Sequence, residues 1–219
     1  MSDVALSWSG GKDSALALRA LRDELGIEPV ALVTTITSDY GRVSMHGVRC
    51  ELVRAQAEAA GLPLVEVGIP AGCTNAVYEA QFAAALETPP LAGVRTIAFA
   101  DLFLEDIRAY RESWLQSLRR EPLFPVWGRD TKQLAHEFID AGFEAVLVCV
   151  DPDQLDPSFA GRAFDASLLD DLPVGVDPCG ENGEFHTFVH AGPIYSSPIA
   201  VEVGEVSLRG GFAFCDLTG

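Results

Sequence analysis

Between residues 4 and 150 two kinds of segment alternate, and this rhythm constrains the fold more than any other feature of the sequence. Short apolar or β-branched runs occur at 4–8, 30–36, 64–68, 96–100 and 145–150. Between them, apolar residues recur at helical spacing. Helices are predicted over 14–25 (Leu18, Leu21 and Leu25 on one face, Gly26 as the stop) and over 47–60 (Val48, Leu52, Ala55 and Ala59 in register, stopped by Gly61). Others are predicted over 75–86 and 131–141, and after residue 101, where Ile107, Tyr110, Trp114 and Leu118 form an inward stripe. Runs such as VALVTTI suit strands buried on both faces. The alternation predicts an α/β fold, a doubly wound parallel sheet with right-handed crossovers that includes strand 145–150.

The pattern changes after residue 150. DPDQLDPSFAGRAFD is rich in Asp and Pro, and DASLLDDL fits one short helix. Strand-like pieces follow at 185–190, 199–206 and near the end in GFAFCDL. The expectation is a first domain over 1–150 and a smaller mixed α/β lobe over 151–219.

The first strand-to-helix junction reads Ser9-Gly10-Gly11-Lys12-Asp13-Ser14. That is the ligand-binding end of an open α/β sheet. Glycines permit positive φ and close approach of a polyanion, and successive amides followed by a helix N-terminus can hold phosphate. Ser14 is a candidate N-cap or hydroxyl ligand. A tight turn without a ligand is the bland reading. The order of residues fits neither the Walker A pattern nor GxGxxG, which argues against a kinase-like grip on a γ-phosphate.

Composition narrows the classes. The 219 residues are 48% hydrophobic with formal charge −17, a mean hydropathy of +0.19 and a pI near 4.4. These values fit a packed globular chain and argue against a nucleic-acid partner, since Lys12 and Lys132 are the only lysines. Cys50, Cys73, Cys149, Cys179 and Cys215 form no CxxC and read as reduced thiols. No apolar run has the length of a membrane span and no signal-like segment opens the chain, so a cytoplasmic location is expected.

SGGKDS resembles the pyrophosphate loop of the ATP pyrophosphatase (adenine nucleotide α-hydrolase-like) superfamily. SMHGVR at 44–49, LDPSFAGRAFD at 155–165 and VDPCGENGEFHTFV at 176–189 sharpen this to a resemblance to the diphthine–ammonia ligase family over nearly the whole chain. The resemblance implies a HUP-like nucleotide-binding domain with a smaller C-terminal lobe closing a cleft. It implies a ligase that uses ATP and ammonia and releases AMP and pyrophosphate. The acceptor would be diphthine on elongation factor 2, or a small carboxylate in bacteria. Mapped onto this chain, Ser9, Gly10, Gly11, Lys12, Asp13 and Ser14 form the phosphate loop, and Asp101 lies at the ligand edge of the sheet. Gly180, Glu181, Asn182, Gly183, Glu184, His186 and Thr187 lie in the cleft. Ala100 replaces the glycine the family more often carries before that acid.

Each assignment has a plainer counterpart. Asp13 orients Lys12 or helps to hold Mg²⁺. Glu181 and Glu184 either handle the amine's protons or are solvated acids beside an Asn-Gly turn. Glu184 and His186 share strand parity if the strand begins early enough. His186 is either a base or a satisfied buried histidine. His46 lies in the adenine or ribose region by superfamily analogy, or is an exposed helix-start residue. Arg49 grips phosphate or makes a surface ion pair. Cys179 is a nucleophile only if the chain is a sulfur-transfer relative, and otherwise a small buried thiol. The expected function is therefore an ATP-dependent carboxylate–ammonia ligase acting through an acyl-adenylate, with Lys12, Glu181, Glu184 and His186 catalytic and a homodimer as the base-rate assembly. An RNA-thiolating enzyme and a non-catalytic nucleotide-binding regulator are the alternatives.

Overall fold

A computed structural model describes residues 3–219. The first strand, β1 (Val4–Ser7), runs into α1 (Lys12–Asp23), which begins two residues earlier than its periodicity suggests because Gly11, not Ser14, is the N-cap. β2 (Leu32–Thr37) follows, then a two-residue strand β3 (Arg42–Val43). A tight turn through Gly47, at φ +68°, occupies the predicted first turn of the next helix, so α2 spans Cys50–Ala60. A Cβ at Gly47 would sit 2.6 Å from the Phe214 ring, so the turn tolerates only glycine. β4 (Leu64–Ile69), α3 (Asn75–Leu86), β5 (Thr96–Ala98), α4 (Glu105–Ser117) and the short β6 (Glu121–Leu123) complete the first layer.

β4, β2, β1, β5 and β6 lie side by side and parallel, and β3 pairs antiparallel with the end of β2 beyond the reach of β1. The chain steps outward from β1 through β2 to β4, then crosses back to β5 on the other side of β1. The strand order therefore reverses between β1 and β5, which opens a crevice at their carboxyl ends.

α5 (Thr131–Asp140) leads to β7 (Glu144–Val150), and here the expected topology needs correction. β7 does not extend the parallel sheet. It pairs antiparallel with β8 (Phe185–Ala191) and β10 (Phe212–Thr218), and β10 pairs with β9 (Glu202–Arg209) in a separate sheet ordered β8-β7-β10-β9. The physical reason is simple. Ala145 to Val150 are buried without a break, and such a run reports cover on both faces, not the direction of the neighbouring strands. α6 (Ala166–Asp171), capped by Asp165, is the short helix expected from DASLLDDL.

One apolar core joins α1, α2 and α5 to the inner residues of the second sheet, and a second core lies on the other side of the parallel sheet under α3 and α4. In the latter, Phe82 and Trp114 meet edge to face at 5.2 Å, which adds about 0.5–1.5 kcal/mol beyond area burial. No described helix is long and apolar enough to cross a membrane.

Candidate active site

The loop after β1 is held from both layers. Gly10 adopts φ +81°, and a Cβ there would lie 2.7 Å from the Gln56 carboxamide oxygen. The fully buried Gln56, on α2, accepts from the Trp8 indole at 2.9 Å and donates to the carbonyls of Gly10 (2.9 Å) and Val189 (2.7 Å). The Val189 amide returns a bond to the Gly10 carbonyl. Strand β8 thus docks directly on the loop. The amide of Lys12 donates to Thr187 Oγ1 at 3.0 Å and that of Gly11 to Ser9 Oγ at 3.2 Å, so two amides expected to face a ligand are engaged by protein oxygens. Ser14, inside the first turn, donates to the Gly11 carbonyl at 2.8 Å and lies 3.3 Å from Ser9 Oγ.

Lys12 is only 2% exposed. Its ammonium bonds Asp13 Oδ2 at 2.9 Å and the Cys179 carbonyl, with the rings of Phe164 and Phe185 at 5.9 and 5.5 Å. Burial works against its charge, but Asp13, Cys179 and Glu181 outweigh it and hold the pKa above the ordinary lysine value. Burial, opposed by Lys12, pushes Asp13 up. The other oxygen of Asp13 is buried and makes no hydrogen bond.

These groups line a cavity of about 320 Å³ at the β1–β5 crevice. Ser9, Lys12, Asp13 and Ser14 enter from the loop and the start of α1, His46 from the turn before α2, Asp101 from the segment that follows β5, and Gly180, Glu181, His186 and Thr187 from the C-terminal region. Glu181 accepts from the Leu102 amide at 2.6 Å, and burial, together with the charges of Asp13 and Asp101, raises its pKa to about 7. His46 and His186 face each other with ring centroids 4.5 Å apart. Burial holds His186 at about 4 and keeps His46 well below the usual histidine value, and each also lowers through nearby positive charge, His186 from Lys12. Both rings are therefore neutral at pH 7, and His186 is a much weaker base than its residue type suggests. Nδ1 of His46 is buried without a partner.

Three expected site residues have other surroundings. Glu184 is 2% exposed but does not line the cavity. β8 begins one residue later, and Oε1 of Glu184 accepts from the Asp177 amide (2.8 Å) and the Asn182 side chain (3.0 Å), closing the turn on itself. Arg49 lies outside the cavity in a bidentate pair with Asp216 of β10 at 2.7 and 3.2 Å, which Arg42 joins at 2.8 Å. These guanidiniums hold Asp216 down at about 2. Asp101 lines the cavity, but Arg111 grips both its oxygens at 2.5 and 3.1 Å. Cys179 is a buried thiol whose pKa burial pushes up, with Sγ 3.3 Å from the Thr131 carbonyl.

Two functional neighbours escape the sequence reading, and both leave the same trace. Arg111 falls among Ile107, Trp114 and Leu118 on the inward stripe of α4, and Gln56 follows Leu52 by one turn on the inward stripe of α2. A polar residue in an apolar stripe must find partners when buried. Arg111 also lies over the Phe99 ring at 4.1 Å.

Among the described residues, no three His, Cys, Asp or Glu side chains converge as a protein-only metal site requires. A Mg²⁺ site of the usual nucleotide kind needs only one or two carboxylates, with phosphate oxygens and water completing the shell. The unpartnered oxygen of Asp13 fits that demand.

A family model described as diphthamide synthase N-terminal domain matches residues 1–121, and one described as diphthamide synthase C-terminal domain matches 130–218. A diphthine–ammonia ligase from Bos taurus is 32% identical over 117 residues, covering 51% of this chain and 44% of that protein. One from Danio rerio is 31% identical over 118 residues, covering 51% and 46%. One from Schizosaccharomyces pombe is 27% identical over 221 residues, covering 90% and 36%. The chain spans less than half the length of these relatives. With the loop, the crevice and the two-layer architecture all in place, the chain belongs to the diphthamide synthase family.

Proposed function

We propose that the chain is an ATP-dependent carboxylate–ammonia ligase, taking ATP in the β1–β5 crevice and converting a diphthine-like carboxylate into its amide. The observation that carries this reading is the convergence of the SGGKDS loop with Glu181 on one cavity, where the carboxyl group titrates near pH 7. A carboxylate oxygen of the acceptor attacks the α-phosphorus and pyrophosphate leaves, giving an acyl-adenylate. Ammonium passes a proton to Glu181, ammonia adds to the acyl carbon, and AMP leaves as the amide forms. A base with a pKa near the working pH suits that transfer.

Lys12 places a buried positive charge at the wall where pyrophosphate charge develops. Asp13, with the ligand phosphates, would hold Mg²⁺, which supplies charge neutralisation when bound. The neutral His46–His186 pair offers hydrogen bonds at the cavity wall without adding a competing charge, and Thr187 fixes the loop. Glu184 shapes the turn that presents Glu181, and Arg49 fastens β10 to the turn before α2. The same reading divides the chain between β6 and α5 rather than at residue 150, because β7 pairs with β8 and β10. A thiolating reading is disfavoured by Cys149 and Cys179, buried thiols with pKa values raised by burial, to about 12 in Cys149. The test is incubation with Mg-ATP, ammonium and diphthine-bearing elongation factor 2. Acceptor-dependent AMP and pyrophosphate support the reading, and nucleotide binding without any α–β cleavage contradicts it.

A further inference from the structure

The antiparallel sheet has one closed edge and one open edge. At the first, β8 docks on the loop, with the Val189 amide on the Gly10 carbonyl. At the other, β9 pairs with β10 alone, and all eight of its residues are exposed. Among the described residues, no backbone group of 202–209 bonds to the backbone of any element except β10. An open edge of this length is a template for another strand, and lysine or proline commonly blocks it. EVGEVSLR contains neither. Its one irregularity is a bulge, where Gly204 and Glu205 together face Asp216 between the pairs Val203–Leu217 and Val206–Cys215. The bulge carries Val203 onto the side shared by Val206 and Leu208. The partners of these three, Leu217, Cys215 and Ala213, are buried in the core, whereas Val203, Val206 and Leu208 are 53%, 47% and 71% exposed. The core face of the sheet thus runs on past β10 as an uncovered apolar stripe.

We propose that β9 pairs with β9 of a second copy of this chain, antiparallel across a two-fold axis, joining two four-stranded sheets into one of eight strands. The strand is complementary to its own reverse. With the bulge counted as one position, Val206 is the centre of β9, Leu208 and Val203 lie two positions to either side, and Arg209 and Glu202 lie three. Across the axis Val206 therefore faces its own counterpart, Val203 faces Leu208, and Glu202 faces Arg209. The hydrogen-bonding sides agree as well. Arg209 and Phe212 flank the two-residue turn Gly210–Gly211, so Arg209 points its N–H and C=O at β10. Alternation then turns those of Leu208, Val206 and Val203 outward, and these are the residues that the pairing sets opposite one another. Glu202 and Arg209 have no ion-pair partner among the described residues, and the pairing supplies one to each. Two acids and one arginine leave β9 close to neutral in a chain of formal charge −17, so two acidic copies meet little repulsion at this edge. A two-fold contact is closed and leaves no edge open to further copies.

The test is the mass of the purified chain in solution by sedimentation velocity, for the wild type and for variants whose circular dichroism matches it. The expected wild-type mass is twice 23.4 kDa. Val206→Lys sets two ammonium groups face to face on the axis and is expected to give a monomer. Arg209→Glu weakens the dimer by about tenfold, because two ion pairs become two pairs of facing acids. Glu202→Arg does the same with facing arginines. The double variant E202R/R209E restores the dimer, since the charges are exchanged in both copies at once. A monomeric wild type at the highest soluble concentration overturns the proposal and leaves the edge to a different partner. A dimer that survives Val206→Lys overturns it by placing the contact on another face. Failure of the double variant to recover what each single variant loses overturns the pairing of Glu202 with Arg209. The measurement uses neither nucleotide nor acceptor, so its outcome is independent of the ligase reading.

Discussion

Lys12 combines two roles that the sequence presents as one. Its ammonium lies at the wall of the β1–β5 cavity, proposed to hold the nucleotide, and also bridges the loop to the Cys179 carbonyl in the C-terminal region. Lys12→Ala is therefore expected to abolish pyrophosphate release and to cost stability as well, about 1–3 kcal/mol for the buried partners left unpaired. Chemical denaturation alongside the activity assay checks both. A wild-type stability would show that the bridge contributes nothing. Glu181 makes a separate prediction. An acid whose folded pKa is raised, here from 4.5 to about 7, favours the folded state below its unfolded pKa, and that stability is lost as pH rises through the folded value. Glu181→Gln should flatten the fall in melting temperature between about pH 5 and 8, the window set by that shift, and should remove the rise of ligase activity through neutral pH. An unchanged slope in the variant would place the carboxylate in ordinary solvent.

At the scale of elements, the contact between β10 and the turn before α2 rests on Asp216. Its pKa is depressed, so the stability it contributes is present above the unfolded value of 3.8 and disappears as pH falls through about 2. The three side chains are partly exposed, so Asp216→Asn should cost only about 1 kcal/mol, while hydrogen exchange at 42–49 and 212–218 accelerates. Unchanged exchange there would mean that Phe214 packing alone holds the contact. These elements also show what the sequence discloses. Strands β1, β2, β4 and β5 and the helices α3 and α5 follow from the sequence pattern, because each buries a regular face or run. β3 and β6 do not, because two or three residues are too few to show a period. The direction of β7 is hidden by burial on both faces. Within the site, the loop was read from its chemistry at a sheet edge, and Glu181 from the resemblance carried by GENGEFHT. The inward turn of Glu184 and the capture of Arg49 by Asp216 were not, because both depend on partners set by tertiary packing.

Across the whole molecule, Gln56 joins the parallel sheet, the loop and the antiparallel sheet through three partners: the Trp8 indole and the Gly10 and Val189 carbonyls. Gln56→Leu keeps the volume and removes these bonds. It should lower stability by about 1–3 kcal/mol, or several degrees of melting temperature at roughly 2–4 °C per kcal/mol for a chain of this size. It should also make the tryptophan fluorescence transition precede the loss of helix. Coincident transitions at the wild-type temperature would show that the two layers are coupled by their apolar core alone. The proposed function makes this chain an enzyme that activates an acid and then amidates it. The most direct measurement follows oxygen. Diphthine-bearing elongation factor 2 with ¹⁸O in the acceptor carboxylate is incubated with the protein, Mg-ATP and ammonium, and the nucleotide products are analysed by mass spectrometry. The expected result is AMP carrying one ¹⁸O, with pyrophosphate unlabelled. ADP and labelled phosphate, AMP without label, or no acceptor-dependent turnover would contradict the account.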